Sequence, residues 1–253
     1  MNPRPRFRRS LVVIAAAFSA LPLAAQQGAH ARPEEAPTTQ EILGAFMSAS
    51  TGNVSDAVDE ATGVRGFMAR DMKPVFKAKV IGPAATVYLR RALRTDKRDW
   101  PNLQIQTLDE APAGSVMVEV LEDGLDIAGV GNLMATTGKV RGLAGMVIDG
   151  GARDIDEIQE IGFPVWSRSQ TPATSVGRYV SVAKNVPVTC GGVVVRPGDW
   201  IVADLTGVVV VPVEALPEVL KLLRQYDEKE TKMIPLIEET KSMGKALERF
   251  NRY

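Results

Sequence analysis

The segment Gly142-Leu-Ala-Gly-Met-Val-Ile-Asp-Gly-Gly-Ala-Arg-Asp154 decides the fold class of this chain. Its apolar run from Leu143 to Ile148 predicts a buried strand that closes on Asp149-Gly150-Gly151, and Gly142 can end the preceding helix. The neighbouring segments predict buried strands over 115–121 and 163–167, and helices over 99–110, 133–141 and 154–161. This alternation of strands and helices predicts an α/β fold.

The chain on either side of this segment adds further elements. On the N-terminal side, Thr39 can cap a first helix and Ser55-Asp56 marks a second helix start. The residues Val75–Tyr88 are rich in strand formers, and we expect Gly82-Pro83 to interrupt them. On the C-terminal side, several short strands are predicted between Val186 and Val211, where glycine-containing turns separate the apolar runs.

The organisation of the chain follows from its two ends. Four arginines precede a mostly apolar run from Leu11 to Ala25, which is the layout of a signal peptide. After Pro212 the pattern becomes that of a long helical tail, which we expect Pro235 to break into two helices. We therefore predict a signal peptide over 1–31, a linker over 32–38, an α/β domain over 39–215 and a helical tail over 216–253 that packs on the domain or on a neighbouring subunit.

The signal peptide predicts a periplasmic or secreted protein. Its apolar run of 15 residues is shorter than the roughly 20 that a membrane-spanning helix needs, so we expect no stable membrane anchor. Cleavage after Ala25 and cleavage after Ala31 both remain open. Arg8-Arg9 resembles a twin-arginine signal, and an ordinary Sec signal is the alternative.

Composition excludes several classes of function. Removal of residues 1–31 leaves 26 basic and 30 acidic residues, so we expect no binding to nucleic acid. His30 is the only histidine and would leave with the signal peptide, which excludes a Ser-His-Asp triad. Cys190 is the only cysteine, and we expect it to be a small core residue. A metal would therefore have oxygen ligands, which suit Mg²⁺ or Mn²⁺.

Arg153 and Asp154 are the first candidates for chemistry because they follow the end of a buried strand. The carboxyl ends of strands in α/β sheets form the crevice where ligands bind. Arg153 could bind a carboxylate through two hydrogen bonds, and Asp154 could bind a metal. A purely structural interpretation is also open, in which Asp154 caps a helix and Arg153 forms a surface ion pair.

A family resemblance extends over most of residues 50–215. The residues that carry it are Gly82-Pro83-Ala84 with Thr86, 113–116, 131–154, 162–165, Gly192-Val193, 197–199, Asp204 and 207–212. These motifs resemble the RraA-like group, which includes 4-hydroxy-4-methyl-2-oxoglutarate aldolases and the regulator of ribonuclease E activity. The resemblance implies a swivelling β/β/α domain that assembles as a homotrimer or as a hexamer of two trimers.

The resemblance also implies roles for individual residues. In the family's aldolases, the aspartate that matches Asp154 holds Mg²⁺ or Mn²⁺, and the position that matches Asn132 is acidic. An amide at this position cannot accept a proton. The backbone from Gly131 through Leu133 and Met134 would bind a substrate carboxylate, while core packing is the alternative role for those two side chains.

Acidic residues elsewhere have two interpretations each. The family takes an acid from the tail of an adjacent subunit, and Glu228 and Glu230 are nearest to that position here. Both could instead belong to the solvated face of a helix. Asp149, Asp199 and Asp204 are more typical of residues that fix turns.

The activity implied by the resemblance is retro-aldol cleavage. Such an enzyme would be a divalent-metal-dependent lyase that cleaves a small 2-oxo-4-hydroxy acid to pyruvate, and it could also decarboxylate oxaloacetate. Because Asn132 lacks the family's carboxylate, we expect weak or altered activity. The alternative is an exported, non-catalytic binding or regulatory protein.

Overall fold

The computed structural model describes residues 36–95 and 99–250. The predicted signal peptide and most of the predicted linker lie outside these residues. The helices are α1 Thr39–Ser48, α2 Thr51–Thr62, α3 Leu103–Glu110, α4 Asn132–Val140, α5 Ile155–Ile161, α6 Leu216–Thr240 and α7 Met243–Phe250, with a 3-10 turn over Val213–Ala215. The strands are β1 Lys73–Pro74, β2 Val80–Arg91, β3 Val116–Leu121, β4 Ala128–Val130, β5 Gly145–Ala152, β6 Val165–Gln170, β7 Tyr179–Lys184, β8 Val188–Cys190, β9 Val193–Val195, β10 Trp200–Ala203 and β11 Val208–Val211.

The main sheet has the order β1-β6-β5-β3-β2-β10-β11, with β4 paired to β5 and β7 paired to β2. Strands β2, β3, β5 and β6 run parallel, and β4 also runs parallel to β5. The other strands of the sheet pair antiparallel at its margins. The α/β class predicted from the sequence is confirmed, as is the helical tail.

Strand β5 is longer than its apolar run. The run predicted a strand that closes on Asp149-Gly150-Gly151, but β5 continues to Ala152. The reason is that both neighbours pair with this end, because β4 places Ala128 opposite Gly151 and β6 places Ser169 opposite the same residue. The two glycines therefore belong to the sheet.

The predicted interruption of β2 at Gly82-Pro83 is wrong. Pro83 is opposite Trp200 of β10 and comes just before Ala84, where pairing with β3 begins, so the sheet tolerates a residue without an amide hydrogen there. Glycine is required at position 82 because an added Cβ would overlap the carbonyl oxygen of Gly114. Close packing, not a turn, explains this glycine.

Two predicted helix starts are displaced. The first cap is Thr38, not Thr39, because its hydroxyl accepts from the Glu41 amide at 3.3 Å and its own amide donates to the Glu41 carboxylate at 2.8 Å. Helix α2 starts at Thr51, four residues before Ser55, because the Ser50 hydroxyl accepts from the Asn53 amide at 3.1 Å.

The sheet separates two apolar cores. One core packs under the β8–β9 hairpin and contains Trp166, Ile201 and Cys190, which confirms the cysteine as a buried core residue. The other core lies under α3, α4 and α5 and contains Met117, Ile148 and Phe163. Because side chains alternate along a strand, successive residues of β3 and β5 contribute to opposite cores.

The helical tail packs on helices of its own chain. The first half of α6 shares a third core with α1 and α2, and its buried residues there are Leu216, Val219, Leu220, Leu222, Leu223 and Tyr226. Pro235 does not break the tail, because it lies exposed inside α6 and removes only one helical amide donor. The helix ends instead at Lys241, which adopts a left-handed conformation with φ of 50°. Within residues 36–95 and 99–250, no helix is long and apolar enough to cross a membrane.

Candidate functional site

The candidate site lies where two adjacent parallel strands end. Strand β4 leads into Gly131 and the start of α4, while β5 leads into Arg153 and Asp154. The Arg153 amide donates to the Val130 carbonyl oxygen at 3.0 Å, which holds the two strand ends together. Residues that are 22 positions apart in the sequence therefore meet at one edge of the sheet, as expected for the carboxyl ends of parallel strands.

Gly131 allows this close approach. An added Cβ at Gly131 would lie 2.6 Å from Oδ2 of Asp154 and 3.0 Å from Nε of Arg153. The φ of Gly131 is −143°, which any residue can adopt, so contact and not backbone conformation requires glycine here.

Asp154 has an unusual backbone and a specific partner. It adopts the left-handed conformation with φ of 55° and ψ of 46°, which is uncommon for a residue with a side chain. Its Oδ2 accepts from the Asn132 amide at 3.0 Å. The carboxylate makes no capping bond to α5, so the interpretation that Asp154 caps the helix that follows it is wrong. It contacts the first amide of α4 instead.

Arg153 and Asp154 form a loose, open pair. The distance from Nε of Arg153 to Oδ2 of Asp154 is 3.7 Å, and the two side chains are 40% and 36% exposed. The expected surface ion pair therefore exists, but most guanidinium donors of Arg153 bond to no group within residues 36–95 and 99–250. Within the described chain, Oδ1 of Asp154 accepts no hydrogen bond, so one carboxylate oxygen is available to a ligand.

The N-terminus of α4 supplies free amides beside this pair. Gly131 is the N-cap and has no side chain, and the Leu133 and Met134 amides donate to no group in the described residues. Helix N-termini attract anions because unpaired amides and the helix dipole both favour negative charge. The Asn132 Oδ1 accepts from the Thr136 hydroxyl at 3.1 Å.

The side chains of this turn have different surroundings. Leu133 is 82% exposed, so the alternative that it packs in the core is wrong, whereas Met134 does pack against the core under α3 to α5. An open cavity of about 360 Å³ is lined by Arg153 and Asp154 and extends to Gln170 and Thr171 at the end of β6. A small substrate has room at this edge.

The tail glutamates lie elsewhere in the chain. Glu228 is exposed on α6, and Glu230 accepts from Nδ2 of Asn53 on α2 at 3.1 Å. Together with Asp227, Glu230 lines a separate cavity between α6 and the α1–α2 segment. A single chain therefore does not bring either glutamate into contact with Arg153 or Asp154, and their predicted role depends on a second subunit.

The aspartates expected to fix turns behave in two ways. Asp199 accepts from the Arg196 amide at 2.7 Å and Asp204 accepts from the Thr206 amide at 2.7 Å, so both predictions are confirmed. The prediction for Asp149 is wrong, because Asp149 is a strand residue whose carboxylate accepts from Nη1 of Arg168 at 3.0 Å.

Arg168 forms a cluster that the sequence did not indicate. Its Nε and Nη2 donate to Oδ2 of Asp71 at 3.0 and 2.8 Å, while Asp149 also accepts from the Gly191 amide at 2.6 Å. The hydrogen bonds that Arg168 donates hold the pKa of Asp71 below its ordinary value, and its bonds to the two carboxylates raise the pKa of Arg168. The cluster fastens the β8–β9 hairpin to the sheet.

Comparison with known proteins identifies a family. Residues 51–210 match the model of the RraA-like family, described as Aldolase/RraA. An uncharacterised protein of Methanocaldococcus jannaschii is 36% identical over 64% of this chain and 76% of its own length. A Halalkalibacterium halodurans protein named "putative 4-hydroxy-4-methyl-2-oxoglutarate aldolase" is 33% identical over 68% of this chain and 77% of its own length.

Solved structures agree with this match. An uncharacterised protein from Pseudomonas syringae pv. tomato superposes with a TM-score of 0.72 and 28% identity, over 83% of this chain and 98% of that one. A Streptomyces coelicolor protein, described as an unusual member of the RNase ES inhibitor RraA protein family, superposes with a TM-score of 0.68 and 28% identity, over 81% and 100%. The resemblance noted in the sequence is therefore confirmed.

Proposed function

This chain belongs to the RraA-like family, and we propose that it is a divalent-metal-dependent lyase that cleaves 2-oxo-4-hydroxy acids to pyruvate. One observation carries the proposal. The free carboxylate oxygen of Asp154, the open guanidinium of Arg153 and the unpaired amides of α4 converge where β4 and β5 end. Relatives whose names give an aldolase activity support the same class of reaction.

The residues present fit a hard cation with few protein ligands. Asp154 offers one unoccupied oxygen, and no group of three or more Asp, Glu, His or Cys residues that could hold a metal occurs in the described ranges. Mg²⁺ suits such a site because it keeps several waters and commonly binds through one or two carboxylates plus the substrate. We assign Mg²⁺ or Mn²⁺ to Asp154. When bound, the cation would polarise the 2-oxo group of the substrate.

Arg153 and α4 would bind and orient the substrate. The Leu133 and Met134 amides, at the positive end of α4, would receive the carboxylate next to the 2-oxo group. Arg153 would face the 2-oxo oxygen, where negative charge develops as the C3–C4 bond breaks. Hydrogen bonds that strengthen in the transition state raise the rate, whereas equal binding of substrate and transition state would not.

A base must accept the proton of the 4-hydroxyl group. Asn132 cannot, because an amide is not basic and its Oδ1 already accepts from Thr136. We propose that Glu228 or Glu230 of an adjacent subunit accepts it, which requires a homotrimer or hexamer. As the electron pair of the C3–C4 bond moves toward the 2-oxo oxygen, C4 becomes the carbonyl of the second product, and return of the abstracted proton to C3 of the enolate gives pyruvate. The same stabilisation of charge would serve loss of CO₂ from oxaloacetate.

A non-catalytic binding protein is the second candidate. The observation that favours it is Asn132, which replaces a carboxylate with an amide at the centre of the site. In this case the site would bind an oxo acid or a partner without turnover. Either protein would act outside the cytoplasm if residues 1–31 are the signal peptide that their sequence predicts.

The test is pyruvate release by the purified full chain. The substrates are 4-hydroxy-4-methyl-2-oxoglutarate, 4-hydroxy-2-oxoglutarate and oxaloacetate, each with Mg²⁺, with Mn²⁺ and with a chelator. We expect release that depends on the added metal. Absence of release from all three substrates, together with no measurable binding of Mn²⁺, would reject the lyase in favour of the binding protein.

A further inference from the structure

Glu119 is a carboxyl group enclosed in the core next to the candidate site. It lies in the middle of β3 and is 0% exposed. Its Oε1 accepts from Nε2 of Gln104 at 2.8 Å, while its Oε2 has no partner in the described residues. A buried polar atom without a partner destabilises a fold, because its lost contacts with water are not replaced. An apolar side chain at this position would stabilise the core more than a carboxyl group does, so packing does not explain the presence of Glu119.

A short path leads from Glu119 to the strand that carries the site. Gln104 of α3 also donates through Nε2 to the Gly129 carbonyl oxygen at 2.9 Å, and Gly129 is the central residue of β4. The carboxyl group packs directly against that strand, because an added Cβ at Gly129 would overlap Oε1 of Glu119. Strand β4 ends at Val130, whose carbonyl oxygen accepts from the Arg153 amide.

We propose that Glu119 is a positioning residue of the site, which acts through Gln104 to hold β4 in the place that aligns Arg153 and the Asn132 amide. This inference rests on the proposed lyase function and deepens it. Glu119 is fully buried and does not line the cavity beside Arg153 and Asp154. Its effect on the reaction is therefore indirect and acts through geometry.

The surroundings of Glu119 favour its protonated form. The groups that face it are Val87 on β2, Ile148 on β5, Gln104 on α3 and Gly129 on β4, and the backbone amide of Gln104 donates to Ser181 on β7. All of these groups are uncharged. Burial raises the pKa of Glu119 to about 8, and the hydrogen bond from Gln104 offsets this only in part.

Ionisation of Glu119 would disturb β4. A carboxylate in this place would have one hydrogen bond and no opposite charge, so the structure would have to open or admit water. Strand β4 is the element that we expect to move, because it has only three residues, whereas its paired neighbour β5 is held between β3 and β6. Displacement of β4 would separate the Asn132 amide from Asp154 and would lower turnover.

The decisive variant is Glu119→Gln, which has the shape of the protonated acid but cannot ionise. In the wild type we expect kcat for pyruvate release to decline as the pH rises through about 8. In Glu119→Gln we expect kcat at pH 7 within about twofold of the wild-type value, without that decline. The matched control is Met117→Leu, a conservative change on the same strand and in the same core, which should keep the alkaline decline.

A second variant tests the path itself. Gln104→Leu removes both hydrogen bonds of the side-chain amide, so we expect kcat to fall about 10-fold at pH 7 with KM changed less than kcat. An alkaline decline retained by Glu119→Gln, or a Gln104→Leu variant with the kcat of the wild type, would overturn the proposal.

An assay-independent measurement separates this proposal from the lyase function. In the full chain, the carboxyl carbon of Glu119 and the amide signals of Asn132 and Arg153 can be followed by NMR as the pH is raised. We expect all three to titrate together with a midpoint near 8, and the two amide shifts to vanish in Glu119→Gln. Titration of Glu119 without any response of the amides would reject the proposal, even in a protein that proves to be a lyase.

Discussion

Two arginine–aspartate pairs lie near the end of β5, and they are built in opposite ways. Arg168 binds Asp149 and Asp71 at 2.8 to 3.0 Å, and its own side chain is 25% exposed. Arg153 approaches Asp154 only to 3.7 Å, and both side chains are more than a third exposed. The close pair has used its donors within the fold. Among the described residues, the donors of the open pair and one of its carboxylate oxygens have no partner, so the weaker ion pair is the better candidate for chemistry.

The difference also appears in backbone conformation. Asp149 lies in a regular strand, whereas Asp154 is held in a left-handed conformation at the end of that strand. A residue with a side chain adopts this conformation at a cost, and such residues concentrate at functional sites. The strain on Asp154 is consistent with selection for position rather than for stability.

The largest expected effect is a difference in stability between variants of the two arginines. Arg168→Met leaves two carboxylates without their partner, so we expect a loss of about 3 kcal/mol in the free energy of unfolding. Arg153→Met removes an exposed, loose pair, so we expect a change of about 0.5 kcal/mol or less. Urea unfolding of both variants measures this contrast. Equal losses would remove the distinction between a structural pair and a functional pair.

For activity we expect the reverse order, with the larger loss in the Arg153 variant. Arg153→Met should lower kcat/KM for pyruvate release by about 100-fold, because it removes a donor that faces developing charge. Arg168→Met, assayed where it remains folded, should keep kcat/KM within about threefold. A larger loss in the Arg168 variant would mean that the close pair takes part in the reaction.

A smaller effect is expected from crowding the open pair. In Gly131→Ala the new methyl group would meet Asp154 Oδ2 and Arg153 Nε, so we expect about a 10-fold loss of kcat/KM with a change in stability under about 1 kcal/mol. The control is Gly44→Ala in α1, where an added methyl group meets nothing within 4 Å. Unchanged kinetics in Gly131→Ala would show that the geometry of the pair is not critical.

The smallest expected effect is an increase in kcat. Asn132→Asp restores a carboxylate at the first residue of α4, whose backbone amide contacts Asp154, so with Mg²⁺ or Mn²⁺ present we expect kcat to rise about threefold or more. Failure of kcat to rise would count against Asn132 as the cause of weak activity.

The sequence predicted the strand that carries Arg153 and Asp154, but not the strand beside it. Strand β5 has an apolar run long enough to recognise, whereas β4 consists of Ala128, Gly129 and Val130 and forms through its neighbour. The family resemblance, not the pattern of residues, brought Asn132 to the site. The contact between the Asn132 amide and Asp154 required the structure.

The sequence did not predict side-chain contacts between residues that are far apart in the chain. Arg168 and Asp71 are 97 positions apart, and nothing in either local segment indicates the other. Glu119 had a local signal, since it is the only charged residue in the strand Val116–Leu121. The apolar pattern predicted the strand correctly despite Glu119, but it could not show that Gln104 and Gly129 would meet the carboxyl group.

The measurement that tests the central claim most directly compares Asp154→Ala with Asp156→Asn. Asp156 is exposed in the first turn of α5, two residues away, so its substitution changes the same charge without touching the site. Metal-dependent pyruvate release and Mn²⁺ binding are measured on both variants and on the wild type. We predict that both signals are lost in Asp154→Ala and kept in Asp156→Asn. Pyruvate release that persists in Asp154→Ala would contradict the assignment of the metal and the chemistry to this site.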